Sequence, residues 1–227
     1  MATAHPFPLQ PGPGALVTGM RMTRESFLRL WDRLPSVKNA ELIDGVVYVA
    51  SPVGIEHSGW DIAVHWWLKS YVHATPGVEA GSNATWNMLT SAPQPDAHLC
   101  LAQSANVRRI KDRYHGAPEL AIEISESSVS VDFGSKLLLY ARAGVKEYLT
   151  FEPDPQRLTW RRLVGGAYQL LKPGVDGIHR SRCFPGLWLD QAAFWAGDGP
   201  RLQQVLEQGL ADATHTKFAR RASKLKR

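Results

Sequence analysis

Cysteine is scarce: Cys100 and Cys183 are the only two in 227 residues, too few and too scattered for a disulfide framework or a four-ligand zinc site. That usage predicts a reducing, cytoplasmic setting. Long hydrophobic runs are also missing. The most apolar helix candidate, near Ile62 to Val72, carries His65, Lys69 and Ser70, well short of the roughly 18 apolar residues of a membrane span, so no membrane partner is expected. Residues 1–20 lack a basic segment followed by an apolar run and are broken by Pro6, Pro8, Pro11, Gly12, Pro13 and Gly14, which predicts a loose leader and not a signal. There is no Walker loop and no Gly-x-Ser-x-Gly elbow, which disfavours nucleotide hydrolysis by those routes. His65 and His73 lie eight apart on one helix with no neighbours to complete a zinc set, and a polar or stacked role among tryptophans suits them better.

Acidic residues are absent from the last twelve positions, where Lys217, Arg220, Arg221, Lys224, Lys226 and Arg227 stand together. They account for the formal charge of +5 and leave residues 1–215 at −1, so the folded part need not have a basic face. Such a tail suits phosphate backbones or acidic partners; a solvated terminus without a partner is the alternative. The 44% hydrophobic content supports one core domain, expected over 21–197, with a peripheral helix (Arg201 to Leu210) and the basic tail over 198–227.

Apolar spacing predicts a helix over Thr23 to Leu34 and a second over about His57 to His73, whose stripe holds Trp60, Ile62, Ala63, Trp66, Trp67 and Val72. Between them, Glu41 to Val49 reads as a hairpin around Asp44-Gly45. Strands are expected near Val78 to Leu89, Asp96 to Leu101, Leu120 to Ile124, Glu147 to Phe151, Arg157 to Leu163 and Tyr168 to Leu171. Asn106 to Gly116, with Arg108, Arg109, Lys111 and Arg113, reads as a basic surface loop. Asp132 to Ala143 returns to helical spacing and ends on Gly144. The order implies an α/β (α+β) fold with a mixed sheet flanked by helices.

Strand alternation places Asp96, His98 and Cys100 on one face, and Glu119, Ala121, Glu123 and Ser125 on one face opposite Leu120, Ile122 and Ile124. A carboxylate inside an apolar strand needs a partner, so Glu123 asks for a cation. If the two strands are neighbours, Asp96 and Glu123 can share one hard ion such as Mg²⁺, with the Ile124 carbonyl as a third oxygen. The plainer alternative has Asp96 capping a turn and Glu123 paired with a lysine or arginine. Lys136 sits early in the next helix, with Tyr140 one turn on, placed to orient a water or stabilise charge on a phosphate, or else to face solvent as most helix lysines do. Two acids also occur in glycosidases, but that reading leaves Lys136 and the basic segments unused.

The ordered set Glu41-Leu-Ile-Asp-Gly, His57, Pro95-Asp96, Glu123-Ile-Ser and Asp132-x-x-x-Lys136-x-x-x-Tyr140-Ala-Arg-Ala-Gly-Val-Lys-Glu-Tyr148 resembles the bacterial Uma-two family of restriction-endonuclease-like proteins, a branch of the PD-(D/E)XK nucleases, over about Thr23 to Leu189. The resemblance implies a restriction-endonuclease-like central mixed sheet and a Mg²⁺ site, with Mn²⁺ as a substitute. Asp96 and Glu123 are its acidic pair, Glu41 joins the metal directly or through water, and His57 stands nearby. The superfamily's lysine, two residues after the second acid, is Ser125 here, and its role is carried to Lys136. Where the family has Ser-Pro-Ser, this chain has Glu126-Ser127-Ser128. The implied activity is metal-dependent hydrolysis of DNA phosphodiester bonds, by a homodimer. The competing expectation is a nuclease-fold protein that has lost catalysis and serves as a nucleic-acid-binding or assembly module.

Overall fold

The computed structural model describes residues 14–50, 54–126 and 128–224. The Pro-rich part of the expected leader before residue 14, Ser127, Lys226 and Arg227 lie outside them.

Thr23 caps α1 (Arg24–Trp31), its side chain accepting from the Ser26 N–H. Next come β1 (Ala40–Ile43) and β2 (Val46–Val49), joined by Asp44 (φ 47) and Gly45 (φ 80), the positive-φ pair that a tight hairpin turn requires. The long α2 (Ile55–Ala74) leads into β3 (Val78–Ser82), β4 (Trp86–Asn87), β5 (Ala97–Leu101), β6 (Val107–Ile110), β7 (Arg113–Gly116) and β8 (Leu120–Ile124). Two helices follow, α3 (Val129–Asp132) and α4 (Ser135–Ala143), then β9 (Glu147–Glu152), β10 (Arg157–Val164), β11 (Ala167–Leu170), β12 (Ile178–Arg180) and β13 (Trp188–Asp190). Helices α5 (Gln191–Ala196), α6 (Gly199–Ala211) and α7 (Ala213–Lys224) complete the described chain.

The central sheet runs β11-β10-β9-β8-β5-β3 and is mixed: β8 and β9 pair in parallel, the other neighbours antiparallel. A parallel pair cannot be closed by a tight turn, and α3–α4 supply the crossover. Period-two alternation then divides the core. Leu120, Ile122 and Ile124 join Leu99, Trp67 and Tyr71 in the cluster beneath α2, whereas Ala121 and Cys100 join Tyr140, Tyr148 and Ile43 on the opposite face. Glu123, between Ile122 and Ile124, therefore points toward α4. The β1–β2 hairpin is held to the body by reciprocal backbone bonds between Leu42 and Ala92, at 3.2 and 2.8 Å.

Four expectations are corrected. The basic stretch 106–116 is a hairpin, β6–β7, which pairs in parallel with β4 as a separate three-stranded sheet. The single strand expected over 78–89 divides between two sheets. The helix expected from Asp132 breaks at Phe133–Gly134, where a Cβ on Gly134 would lie 2.5 Å from the Ser130 carbonyl oxygen. Most consequentially, the basic end is no loose tail. Its described part forms α7, whose Phe218 and Ala222 enter the cluster of the main sheet together with Leu202 and Leu206 of α6.

Smaller corrections concern the ends of the apolar stripe and leader. On α2, Ile62 is exposed and Trp66 partly so, the buried side being Val64, Trp67, Leu68 and Tyr71. Leader residues 14–20 are also engaged: Leu16 is buried, and Gly19 and Met20 exchange backbone bonds with Val47.

Gly77 shows how closely α7 docks, because with φ +92 it brings the Ala222 carbonyl to 2.1 Å from where a Cβ would stand. Phe218→Ala is expected to destabilise the chain by about 3 kcal/mol in urea unfolding, the cost of emptying a buried aromatic site. A loose tail would show no change.

Candidate active site

The chemistry gathers where β5 enters the sheet and β8 leaves it. The antiparallel register Ala97↔Ile122, continued by one step, sets Asp96 against Glu123 on the same face. Glu41, Asp96, Glu123 and Lys136 all line one cavity of about 370 Å³, together with His57 and Asp61 from the first turns of α2.

Lys136 is the centre of the cluster. Its Nζ lies 2.9 Å from Glu41 Oε2, 3.0 Å from Glu123 Oε2 and 3.4 Å from Asp132 Oδ1, and the residue is buried. Tyr140 donates to the other Glu123 oxygen at 2.7 Å. The two helix positions reach the same carboxylate because they are one turn apart on α4. Asp96 Oδ2 accepts from the Ile124 N–H at 2.7 Å, and Glu41 Oε1 from the Gln94 N–H at 2.6 Å. Asp132, fully buried, accepts from Ser125 at 2.9 Å and from Ser128.

The charges do not balance. Four carboxylates surround one ammonium, and the acids register the excess. Burial raises Asp96 to about 6 against the pull of Lys136 and the Ile124 N–H, while burial raises Glu123 well above the ordinary range, the neighbouring Asp132, Asp96 and Glu41 adding to it. Burial alone pulls Lys136 down, but Glu123, Glu41, Asp132 and Asp96 together raise it well above the usual lysine value. Tyr140 is likewise raised, by burial and then by Glu123.

A divalent metal suits this donor set. Mg²⁺ is commonly held by one or two carboxylates and several waters, and Asp96 and Glu123 offer oxygens only, in a pocket short of positive charge. Among the described residues no three His, Cys, Asp or Glu side chains are arranged to hold an ion by themselves. Glu41 has one oxygen on the Gln94 N–H and the other on Lys136, Glu123 has its two on Tyr140 and Lys136, and the Ile124 carbonyl accepts from the Glu126 N–H at 3.2 Å; each of these oxygens keeps a second lone pair.

A family model described as "Putative restriction endonuclease", Uma2, matches residues 24–192. The chain belongs to the Uma2 family. Among solved structures, one from Anabaena variabilis ATCC 29413, described as "a putative nuclease belonging to DUF820", aligns with TM-score 0.61 at 18% identity, covering 77% of this chain and 98% of that one. At that identity the likeness bears on the fold, a mixed sheet between helices. Among curated proteins nothing matches.

Of the residues expected from sequence, this Uma2 chain brings Asp96, Glu123, Lys136, Glu41 and Tyr140 together. His57 lines the same cavity with Nδ1 3.5 Å from Glu126 Oε2, which accounts for the acid at 126. Ser125 is turned to Asp132, and of the polar and stacked roles expected for His65 the polar one is seen, a pairing with Asp61 one turn back. The basic residues of α7 stand apart: α2 is 20 residues long, about 30 Å, with His57 at one end and Thr75 just past the other. Thr75 shares a 3.0 Å hydrogen bond with His215 of α7. Two members were not singled out as site residues, Asp132 and Gln94. The four-residue interval from Asp132 to Lys136 was the available signal; Gln94, acting through its backbone, had none.

The raised Asp96 value fixes the sign of a pH effect. Folded Asp96 holds its proton to about 6 but releases it near 3.8 when unfolded, so stability falls as pH rises through that window and stays lowered above it. In metal-free buffer Asp96→Asn is expected to be more stable than the parent at about pH 8, by on the order of 1–3 kcal/mol, with the gap closing toward about pH 4. Paired urea titrations at the two pH values check this.

Proposed function

We propose that this Uma2 chain is a metal-dependent nuclease that hydrolyses DNA phosphodiester bonds, with Asp96 and Glu123 holding the ion. The observation that carries the reading is the imbalance of four carboxylates against Lys136, three of them (Glu41, Asp96 and Glu123) lining one cavity and Asp132 buried behind it, within a family described as putative restriction endonucleases. Mg²⁺ is the assigned ion, with Mn²⁺ as a substitute. When bound, a divalent ion polarises a phosphoryl oxygen and lowers the pKa of water.

The chain's own groups divide the remaining work. Lys136 is protonated throughout the physiological range, so it acts as a cation and not as a base: its ammonium orients a water or steadies charge growing on the phosphate. Glu41 and Asp132 are positioning residues, holding Lys136 from two sides. Tyr140 fixes Glu123 by occupying one of its oxygens, leaving the other shared with Lys136. His57, beside Glu126, places an imidazole on the cavity wall.

A second reading, a nuclease fold kept for nucleic-acid binding with little or no cleavage, is favoured by the engagement of both Glu123 oxygens, one by Tyr140 and the other by Lys136. A cleavage assay on duplex and single-stranded DNA with Mg²⁺, Mn²⁺ or EDTA separates the two. The nuclease reading expects turnover with either metal, silenced by EDTA; binding without any turnover sinks it.

Variants assign the roles. Asp96→Asn is expected to lower cleavage by ~10²-fold or more and to weaken Mg²⁺ binding measured calorimetrically, without weakening metal-free DNA binding. Lys136→Met is expected to lower cleavage by about 10²-fold while retaining Mg²⁺ binding, because a cation and not a ligand has been removed. Since that lysine is buried among acids, folding of the variant is verified first by its melting curve. An active parent unaffected by both substitutions would show that the chemistry lies elsewhere.

A further inference from the structure

We propose that the β6–β7 hairpin, with the adjoining part of α1, is the arm that docks duplex DNA beside the candidate active site. The proposal rests on the nuclease reading for its choice of partner.

As a hairpin, residues 106–116 present Arg108, Arg109, Lys111 and Arg113 on two strands of the small β4-β7-β6 sheet. Their charges are only partly used. Arg109 pairs with Glu79 and Arg113 with Asp32 of the α1 cap, whereas the side chains of Arg108 and Lys111 have no hydrogen-bond or ion-pair partner among the described residues. Both are exposed.

The ribbon's basic face extends onto α1. Arg24 reaches the Leu89 carbonyl next to β4, and Arg24, Arg108 and Arg113 all act on His115, whose pKa is lowered by burial first and then by these three guanidiniums. Residues 21–38 add five basic side chains against two acidic ones. A positive field thus collects on this side although residues 1–215 as a whole carry −1.

Its location ties it to the chemistry. Gln94, two residues before Asp96, lines both the cavity containing Asp96 and a neighbouring one of about 340 Å³ bordered by Lys38 and Arg113 and also by Asp32, the partner of Arg113, and Asp112. Its side-chain amide donates to the Asn83 carbonyl and to Thr85 at 3.0 and 3.1 Å, joining the base of the hairpin sheet to the strand that carries Asp96. A backbone resting on Lys38 and Arg113 therefore runs on toward Asp96 and Glu123. Beyond the β4 pairing at Tyr114 and His115, the tip from Ile110 to Arg113 is two-stranded, the kind of element that the duplex major groove, about 12 Å wide, admits. The basic α7, at the far end of α2, has no such continuity with the cavity.

The test compares two double variants of the full chain, Arg108→Ala/Lys111→Ala on the hairpin and Arg220→Ala/Lys224→Ala on α7. Binding to a fluorescent DNA duplex is followed by anisotropy across a salt series in EDTA, so catalysis does not enter. The hairpin variant is expected to bind about 10-fold more weakly or worse at low salt and to flatten the log–log salt slope by about 2, near 0.9 for each lost phosphate contact. The α7 variant should keep the parent slope. All four side chains are exposed and outside the catalytic cluster, so unchanged melting of both variants is expected.

An unaltered slope for the hairpin variant, a loss confined to the α7 variant, or preferential binding of single strands over duplex each overturns the proposal. Cleavage by the parent with Mg²⁺ is scored separately. A parent that binds duplex through the hairpin but never cuts it refutes the nuclease reading alone, and one that cuts with hairpin-independent binding refutes the docking arm alone.

Discussion

The ammonium of Lys136 holds together three pieces of chain that are distant in sequence: Glu41 on the first hairpin, Glu123 in the central sheet, and Asp132 at the end of α3. Removing one partner from a buried ion cluster leaves uncompensated charge and typically costs 3–5 kcal/mol, so the cluster constrains the architecture as well as the chemistry. The hairpin must lie over α4, the crossover must break at Gly134, and α4 must present Lys136 and Tyr140 to the same carboxylate. The helical break turns Asp132 inward against Lys136, while Ser125 and Ser128 occupy its other oxygen.

Contrast with Glu147 shows what distinguishes a site acid from a structural one. Glu147 begins β9 beside β8 and is fully buried, yet it accepts from the Trp160 indole, the Ser181 hydroxyl and the N–H groups of Arg182 and Cys183, at 2.6 to 3.0 Å. Neutral donors satisfy that carboxylate and tie the start of β9 to the loop between β12 and β13. Glu123 is instead shared between a tyrosine and a lysine that three other acids also claim. Competition for one cation, in place of a closed set of fixed donors, leaves the cavity able to accept a further positive charge.

Basic charge is likewise divided between structure and surface. On α7 it covers the outside of a helix whose inner face, Phe218 and Ala222, completes the main core. On β6–β7 it projects from a small sheet beside the cavity. Both segments have similar composition, and only their placement relative to α2 and Gln94 separates them.

Most strands and helices, and the strand face that Glu123 occupies, were legible in the sequence because they depend on local periodicity. Alternation along 96–101 and 119–125 correctly set Glu123 opposite Leu120, Ile122 and Ile124, and the ordered Glu41 to Tyr148 motifs pointed to the Uma2 family that the family match shows. Composition could not reveal that the basic end folds as α7, since a helix with only His215, Phe218 and Ala222 to bury looks like a solvated tail until the groove that receives them exists. Nor could spacing show that residues 106–116 form strands, because their pairing partner, Trp86-Asn87, is itself too short to read as a separate strand. The sequence by itself determined which groups can carry charge and which faces of their strands they occupy. Tertiary structure decided which of those groups share a single cation, because that depends on distances between segments up to 95 residues apart, from Glu41 to Lys136, which no local pattern encodes.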